Sequence, residues 1–323
     1  MAHTILKADG LRKAYSLGSF FRHIRIHALD DVSFEVQSDA PVVISLIGES
    51  GSGKTTLAKA LLRLVELNAG RLEIEGRPIV AQGETTVSPD ELRHLVQPIF
   101  QNPFEAFNGY RRVDSYLRDT AAHIGKALRR SDAEKLMEQA LHSVGLRADD
   151  VVGKYPNQFS GGELQRISVA RALIPRPRLI VADEPVSMID ASLRTNIVNL
   201  FRKIKQDYAT SFLYITHDLA TAYYISDYIV ILYRGCAVEF GRAADVLKKP
   251  LHPYTQLLLA SVPHVGIKWT KREKMSDLET KEYGFAGCKF ANRCPHATHA
   301  CTAQRPRPIR LEDEREVCCT LYE

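Results

Sequence analysis

At 323 residues the chain exceeds the ~250–300 at which a single core stops growing, so one main domain with an appendage is expected. Its 45% apolar and 25% charged residues are those of a soluble globular protein, and no run approaches the ~18 apolar residues of a spanning helix. A net charge of +5 is too mild to argue for a nucleic-acid partner.

The opening Met-Ala-His-Thr-Ile-Leu-Lys-Ala-Asp carries charge where a signal peptide would be apolar, so a cytoplasmic protein is expected, with membrane contact only through partners. Residues 4–9 and 26–36 read as strands of an edge sheet, the second alternating as Ile26 and Ala28, then Val32, Phe34 and Val36, with a loop from Ser16 to Arg25 between them. The apolar run Val42 to Ile47 is a buried strand and Leu57 to Leu64 a helix. Between them, Gly48, Glu49, Ser50, Gly51, Ser52, Gly53, Lys54 and Thr55 match the phosphate-binding pattern G-x4-G-K-[ST], and Thr56 follows. Glycines there let backbone N–H groups turn toward phosphate oxygens. Lys54 can reach the outer phosphates and Thr55 can ligate magnesium, at the positive end of a helix.

Residues 71–75 and 96–100 are further strands. Ser88, Pro89 and Glu91 form a capping box that starts a helix before the second. From about Arg111 to Arg171 the pattern is helical, with a second box expected at Ser131 and Glu134 and with Leu136, Met137, Ala140, Leu141 and Val144 on one face. This is a helical insertion, spanning about 102–172, in an α/β fold. Strands at 179–181, 212–216 and 228–232, separated by helices at 192–204 and 219–225, imply a parallel sheet with ligand at the carboxyl ends of its strands. A short amphipathic helix is expected from Pro250 to Pro263, and a solvated basic linker around Lys268, Lys271, Arg272 and Lys274. The composition shift places a domain boundary near 265, giving 1–264 and 265–323.

The second phosphate-chemistry element is Leu179-Ile-Val-Ala-Asp183-Glu184. A buried strand delivering two carboxylates suits magnesium on Asp183 beside Glu184 as the base that polarises water. Ser160, Gly161, Gly162 and Glu163 open a helix and make a second anion-binding nest. Ser-Gly-Gly twenty-odd residues before Asp-Glu resembles the signature motif of ABC ATPases, P-loop NTPases with a mostly parallel core sheet, an antiparallel edge sheet and a helical subdomain. The resemblance implies that two such subunits sandwich ATP and Mg2+ head to tail, this signature serving the nucleotide of the other subunit. It also implies that Gln101 is the Q-loop glutamine, which touches magnesium, that His217 is the switch histidine at the γ-phosphate, that Asp190 belongs to the D-loop and that Tyr15 stacks on adenine.

Leu251-His-Pro-Tyr-Thr255 with Ser261-Val-Pro263 is similar to the segment closing the ATPases of oligopeptide and dipeptide importers. Five of the six cysteines lie in the last 36 residues, a clustering that reads as a metal or iron–sulfur site in a cytosolic protein. Cys288, Cys294, Cys301 and Cys319 resemble that family's cluster-binding extension. Four thiolates can hold a [4Fe-4S] cluster, with Zn2+ as the alternative and Cys318 competing for the last position. Cys236 reads as an ordinary strand or turn residue.

The resemblance therefore implies a translocating ATPase at the cytoplasmic face of the membrane, paired with a second, paralogous ATPase. Two multi-spanning permease subunits, an extracytoplasmic solute-binding protein and no nucleic acid complete the expected set. Glu163 stands where glutamine is common, Ser187-Met-Ile-Asp190 replaces the commoner Ser-Ala-Leu-Asp, and Gly109-Tyr110 replaces Asn-Pro. No catalytic group is lost, so an active enzyme is expected. The Ser-Met-Ile-Asp variant looks like that of ATPases paired with sugar importers, which keeps oligosaccharide as an alternative cargo. A soluble ABC ATPase acting on nucleic acid or ribosomes is the alternative of another class.

Overall fold

Antiparallel pairing of β1 (His3–Leu17) with β2 (Ile24–Ser38) opens the chain in this computed structural model, which describes residues 3–17, 24–261 and 282–323. Both strands run well past the alternating stretches expected of them. Register shifts between Ala8 and Leu11 and between Lys13 and Ala14 break the period of two that would have marked their full length. Much of the loop expected from Ser16 to Arg25 lies outside the described residues.

After β3 (Val43–Ile47) and α1 (Lys54–Leu61), the strands β4 (Ala69–Ile74), β5 (Arg77–Ala81) and β6 (Glu84–Thr85) complete a five-stranded antiparallel sheet in the order β2-β1-β4-β5-β6. The last two strands were not anticipated. Their hairpin turns are Glu75-Gly76 and Gln82-Gly83, all four residues at positive φ, without the asparagine or aspartate that usually advertises such a turn.

The expected capping box at Ser88 and Glu91 starts α2 (Pro89–Leu95), which leads into β7 (Val96–Ile99). The insertion is α3 (Val113–His123), α4 (Arg130–Ser143), α5 (Ala148–Val151) and α6 (Gly161–Leu173). The box expected at Ser131 does not form. α4 begins two residues earlier, with Arg129 at its N-cap, and the Glu134 carboxylate is drawn across to Arg118 at 2.7 Å.

The remaining elements are β8 (Leu179–Asp183), α7 (Ala191–Asp207), β9 (Ser211–Thr216), α8 (Leu219–Ile225), β10 (Tyr228–Tyr233), β11 (Cys236–Arg242), α9 (Ala243–Lys248), α10 (Pro253–Ala260), α11 (His299–Ala303), β12 (Ile309–Arg310) and β13 (Glu316–Val317). The core sheet has the order β12-β13-β11-β10-β3-β9-β8-β7, parallel from β10 to β7. Its central strands are apolar on both faces. Ile44, Leu46, Leu213 and Ile215 face the antiparallel sheet, while Ile180, Phe212 and Tyr214 face the helical insertion. The C-terminal strands are part of this same sheet, because β13 pairs with β11 through Glu239 and Phe240.

The expected Pro250 helix starts instead at Pro253, and its distal proline, Pro263, and the basic segment 268–274 lie outside the described residues. His252 sets the start: its Nδ1 accepts the Tyr254 N–H at 3.0 Å. The ring is buried, and burial lowers its pKa from 6.5 to about 3. Because the unfolded chain takes the proton first, this stability is complete above pH 6.5 and is lost as pH falls toward 3. At ~1.4 kcal/mol per pH unit, about 2 kcal/mol should go between pH 6.5 and 5. Denaturant midpoints at pH 7 and pH 5, compared with His252→Asn, should show a smaller acid-induced drop in the variant; equal drops would remove the imidazole from the account.

Candidate active site

The turn between β3 and α1 places residues 48–55 at the carboxyl end of the central parallel strand. Gly53 sits at the N-cap of α1 with φ 108°, and a Cβ there would lie 2.4 Å from the Ala28 carbonyl oxygen. No side chain caps the helix, so its N-terminal N–H groups are left for a ligand. Lys54 is only 7% exposed; its Nζ donates to the carbonyls of Gly48 at 2.7 Å and Glu49 at 2.9 Å. Burial lowers the Lys54 pKa, opposed by the charges of Glu184, Asp183 and Glu49.

The end of β8 delivers Asp183 beside this loop, hydrogen-bonded to Thr55. Burial, reinforced by the neighbouring Glu184, raises its pKa. One carboxylate and one hydroxyl in contact suit magnesium, which takes few protein ligands and completes its shell with phosphate and water. Glu184 follows at φ 45°, a left-handed conformation that costs a non-glycine residue roughly 1–3 kcal/mol. Its N–H is tied to the Ile215 carbonyl at 2.9 Å. Its carboxylate meets Gln101 Nε2 and His217 Nδ1, each at 3.1 Å. Three side chains expected to act together thus converge from the ends of β7, β8 and β9. The loop, Glu184 and His217 line a cleft of about 570 Å³ with Tyr15, Ile26 and Ala28 at its other end. Tyr15 lies there half-exposed, with Lys13 Nζ 5.3 Å from its ring centre. Tyr283 also lines the cleft, and no sequence signal pointed to it.

Ser160, Gly161, Gly162 and Glu163 are not brought to this cleft. They open α6 on a separate groove shared with Leu193 and Asn196 of α7. Glu163, which stands where glutamine is common, folds back on the helix start: its Oε2 accepts from the Ser160 N–H at 2.9 Å and Oγ at 2.7 Å. The Ser160 hydroxyl and then its N–H lower the Glu163 pKa. Asp190 is exposed at the N-cap of α7 and caps nothing with its side chain.

Cys288, Cys294, Cys301 and Cys319 act on one another electrostatically, and Cys301 Sγ also has Thr298 Oγ1 at 3.5 Å and Thr320 Oγ1 at 3.2 Å. Burial raises the Cys318 pKa, with Cys236, Glu316, Arg305 and, last, Cys288 as its electrostatic neighbours. Just past β13 the backbone stays extended at Cys319, φ −150° and ψ 130°, a course that sends successive side chains to opposite sides. Among the described residues no group of three or more such side chains surrounds a single ion position. Four sulfurs at ~2.3 Å from one zinc would need that convergence. Among the described residues no such group is present to support either zinc or a four-iron cluster.

A Gly-rich loop at a helix N-terminus, an acid pair ending the adjoining strand and a histidine ending the next define a nucleotide-hydrolysing P-loop enzyme. Residues 29–187 match the ABC transporter family, and residues 238–301 match the C-terminal region of oligopeptide/dipeptide transporters. The chain is 36% identical to the Di/tripeptide transport ATP-binding protein DppF of Pseudomonas aeruginosa, over 98% of this chain and 97% of that protein. It is 33% identical to the Oligopeptide transport ATP-binding protein AppF of Bacillus subtilis, over 99% and 98%. The fold is similar to the dimeric ATP-binding cassette MJ0796 in a post-hydrolysis state with ADP and Pi, with TM-score 0.62, 23% identity and coverage of 74% of this chain and 98% of that one. It is also similar to cbiO1 of Clostridium perfringens, with TM-score 0.64, 20% identity and coverage of 76% and 92%. The chain belongs to the ABC transporter family and is an ABC ATPase of the oligopeptide/dipeptide transporter type.

Proposed function

We propose that this chain hydrolyses ATP to energise a binding-protein-dependent importer of oligopeptides or dipeptides. The observation that carries the reading is the meeting of Gln101, Glu184 and His217 beside residues 48–55, in a chain whose C-terminal region is of the peptide-transporter type. In this reading Lys54 and the N–H groups of 48–56 hold the phosphates, and Tyr15 stacks on the base. Magnesium, held by Thr55 and Asp183 with Gln101 nearby, would neutralise charge on the phosphates when bound. Glu184 orients and deprotonates the attacking water, and His217 donates to the departing phosphoryl oxygens.

The signature at Ser160 to Glu163 and Asp190 serve the nucleotide of a second ATPase subunit, a paralogue. Two permease subunits hold the pair at the cytoplasmic face of the membrane, and a solute-binding protein delivers cargo. The oligosaccharide alternative rests on the Ser187-Met-Ile-Asp190 variant alone, whereas the relatives compared carry peptide names. Affinity purification of the tagged chain from its membranes, under anaerobic conditions, should recover two multi-spanning proteins, a second ATPase and a peptide-bearing solute-binding protein. Recovery with ribosomes or nucleic acid instead would sink the importer.

The extension is proposed to hold a [4Fe-4S] cluster on Cys288, Cys294, Cys301 and Cys319. Support comes from the mutual influence of those thiols and from the extended backbone that sends Cys318 and Cys319 to opposite sides. Such a cluster would brace a segment with little core of its own. Iron and sulfide analysis of anaerobically purified protein should find about four of each per chain. Cys319→Ser should lose them while Cys318→Ser keeps them; the reverse pattern would reassign the fourth ligand.

A further inference from the structure

The C-terminal extension does more than close the sheet, because it grips the phosphate-binding loop at several points. Arg293 pairs in a fork with the loop residue Glu49, Nη1 to Oε2 and Nη2 to Oε1, both at 3.0 Å. Tyr283 donates its hydroxyl to the Gly51 carbonyl, and approaches so closely that a Cβ on Gly51 would lie 2.6 Å from Oη. From the main domain, Tyr254 accepts the Glu49 N–H at 2.9 Å, and Arg234 Nη1 lies 3.5 Å from the Ser50 carbonyl.

The gripping side chains are themselves fixed. Arg234 is buried against Glu282 at 3.0 Å and lies with its guanidinium 5.3 Å from the centre of the Tyr283 ring. Lys289 donates to the Tyr283 carbonyl and pairs with Asp30 at 2.8 Å. The Arg293 guanidinium lies 5.9 Å from the centre of the Tyr233 ring and 5.6 Å from that of Phe290.

Two physical effects of this grip act in the same direction. A trans peptide sends its N–H away from its C=O, so holding the Gly51 carbonyl against Tyr283 of the extension, and the Ser50 carbonyl near Arg234, fixes the planes of the amides that follow them. A phosphate nest needs those planes set before the ligand arrives. Glu49 also places a carboxylate on the very loop that must receive polyphosphate. A bidentate guanidinium offsets that charge while adding two charge-assisted hydrogen bonds.

We propose that Tyr283 and Arg293 are positioning residues for ATP: the extension holds the phosphate-binding loop in shape and neutralises Glu49. The inference rests on the reading of residues 48–55 as the phosphate site. It assigns the extension a role at the nucleotide that does not depend on what its cysteines hold.

The test is equilibrium binding of fluorescent methylanthraniloyl-ATP with magnesium to the full-length protein, alongside melting curves without nucleotide. Arg293→Met should weaken binding about tenfold, and Tyr283→Phe several-fold, with KM for ATP rising and kcat unchanged. The Arg293 effect should shrink to within about twofold in a Glu49→Gln background and diminish at high salt, which a merely structural staple would not do. Arg293→Lys, retaining the charge without the fork, should recover part of the loss and carries the test if Arg293→Met fails to fold. Unchanged affinity in both Tyr283→Phe and Arg293→Lys, or an Arg293 effect of the same size with and without Glu49, would overturn the proposal. Failure of the wild-type protein to bind the nucleotide would instead remove the phosphate-site reading beneath it.

Discussion

Replacing Glu184 by Gln should lower ATP turnover by about 10²–10⁴-fold while leaving ATP binding intact, the range expected when a positioned general base is removed. Glutamine keeps the volume and one carbonyl acceptor, so the Gln101 Nε2 contact at 3.1 Å can persist. What it lacks is a group able to take the proton of the attacking water. Nucleotide should therefore accumulate unhydrolysed on the protein, and a rapid-quench measurement should find the chemical step slowed without a matching rise in KM. The strained φ of 45° at Glu184 belongs to the backbone and should survive the change, because the N–H bond to Ile215 is untouched. Hydrolysis at the wild-type rate would take the base role away from this residue.

Lys54→Met should cost about 10²-fold in ATP affinity, since hydrogen bonds to charged groups are each worth ~1.5–3 kcal/mol and none can be made by the thioether. Without ligand, Lys54 spends its donors on the carbonyls of Gly48 and Glu49, which folds the ammonium back onto the loop. ATP must draw it away, exchanging two carbonyl contacts for phosphate oxygens. The variant loses those carbonyl bonds but also the burden of a desolvated charge, so its melting temperature should stay within a few degrees of wild type. Titration with fluorescent nucleotide checks the first claim and calorimetry the second. Wild-type affinity in the variant would mean that phosphates bind elsewhere.

The residues proposed to do chemistry were legible where function dictates both type and spacing. Residues 48–55 and Asp183 with Glu184 each follow an apolar run that ends in the right polar residues, whereas Gln101 and His217 were picked out by the resemblance to ABC ATPases. The helical insertion and parallel sheet followed from a switch in hydrophobic period. What stayed hidden was set by tertiary contact. Ser131 carries the right cap chemistry, yet Arg118 on the preceding helix claims the Glu134 carboxylate that would have completed the box. The hairpin strand β5, Arg77-Pro-Ile-Val-Ala81, does not alternate, and β6 is only two residues long. Glu163 departs from the signature in a way the sequence showed, but only coordinates reveal its return to Ser160. Tyr283 and Arg293 escaped notice because nothing local marks a tyrosine or an arginine as belonging to a loop more than 200 positions earlier.

That separation has a temporal side. Glu49 and Arg293 are 244 positions apart, so at a synthesis rate of ~5–20 residues per second the loop leaves the ribosome roughly 10–50 s before its arginine does. During that interval the nascent chain carries a nucleotide loop whose acidic residue lacks its paired guanidinium. A chain truncated ahead of the extension would remain in that condition permanently. On the proposed role of Arg293, its synthesis would act as a maturation step for the ATP site.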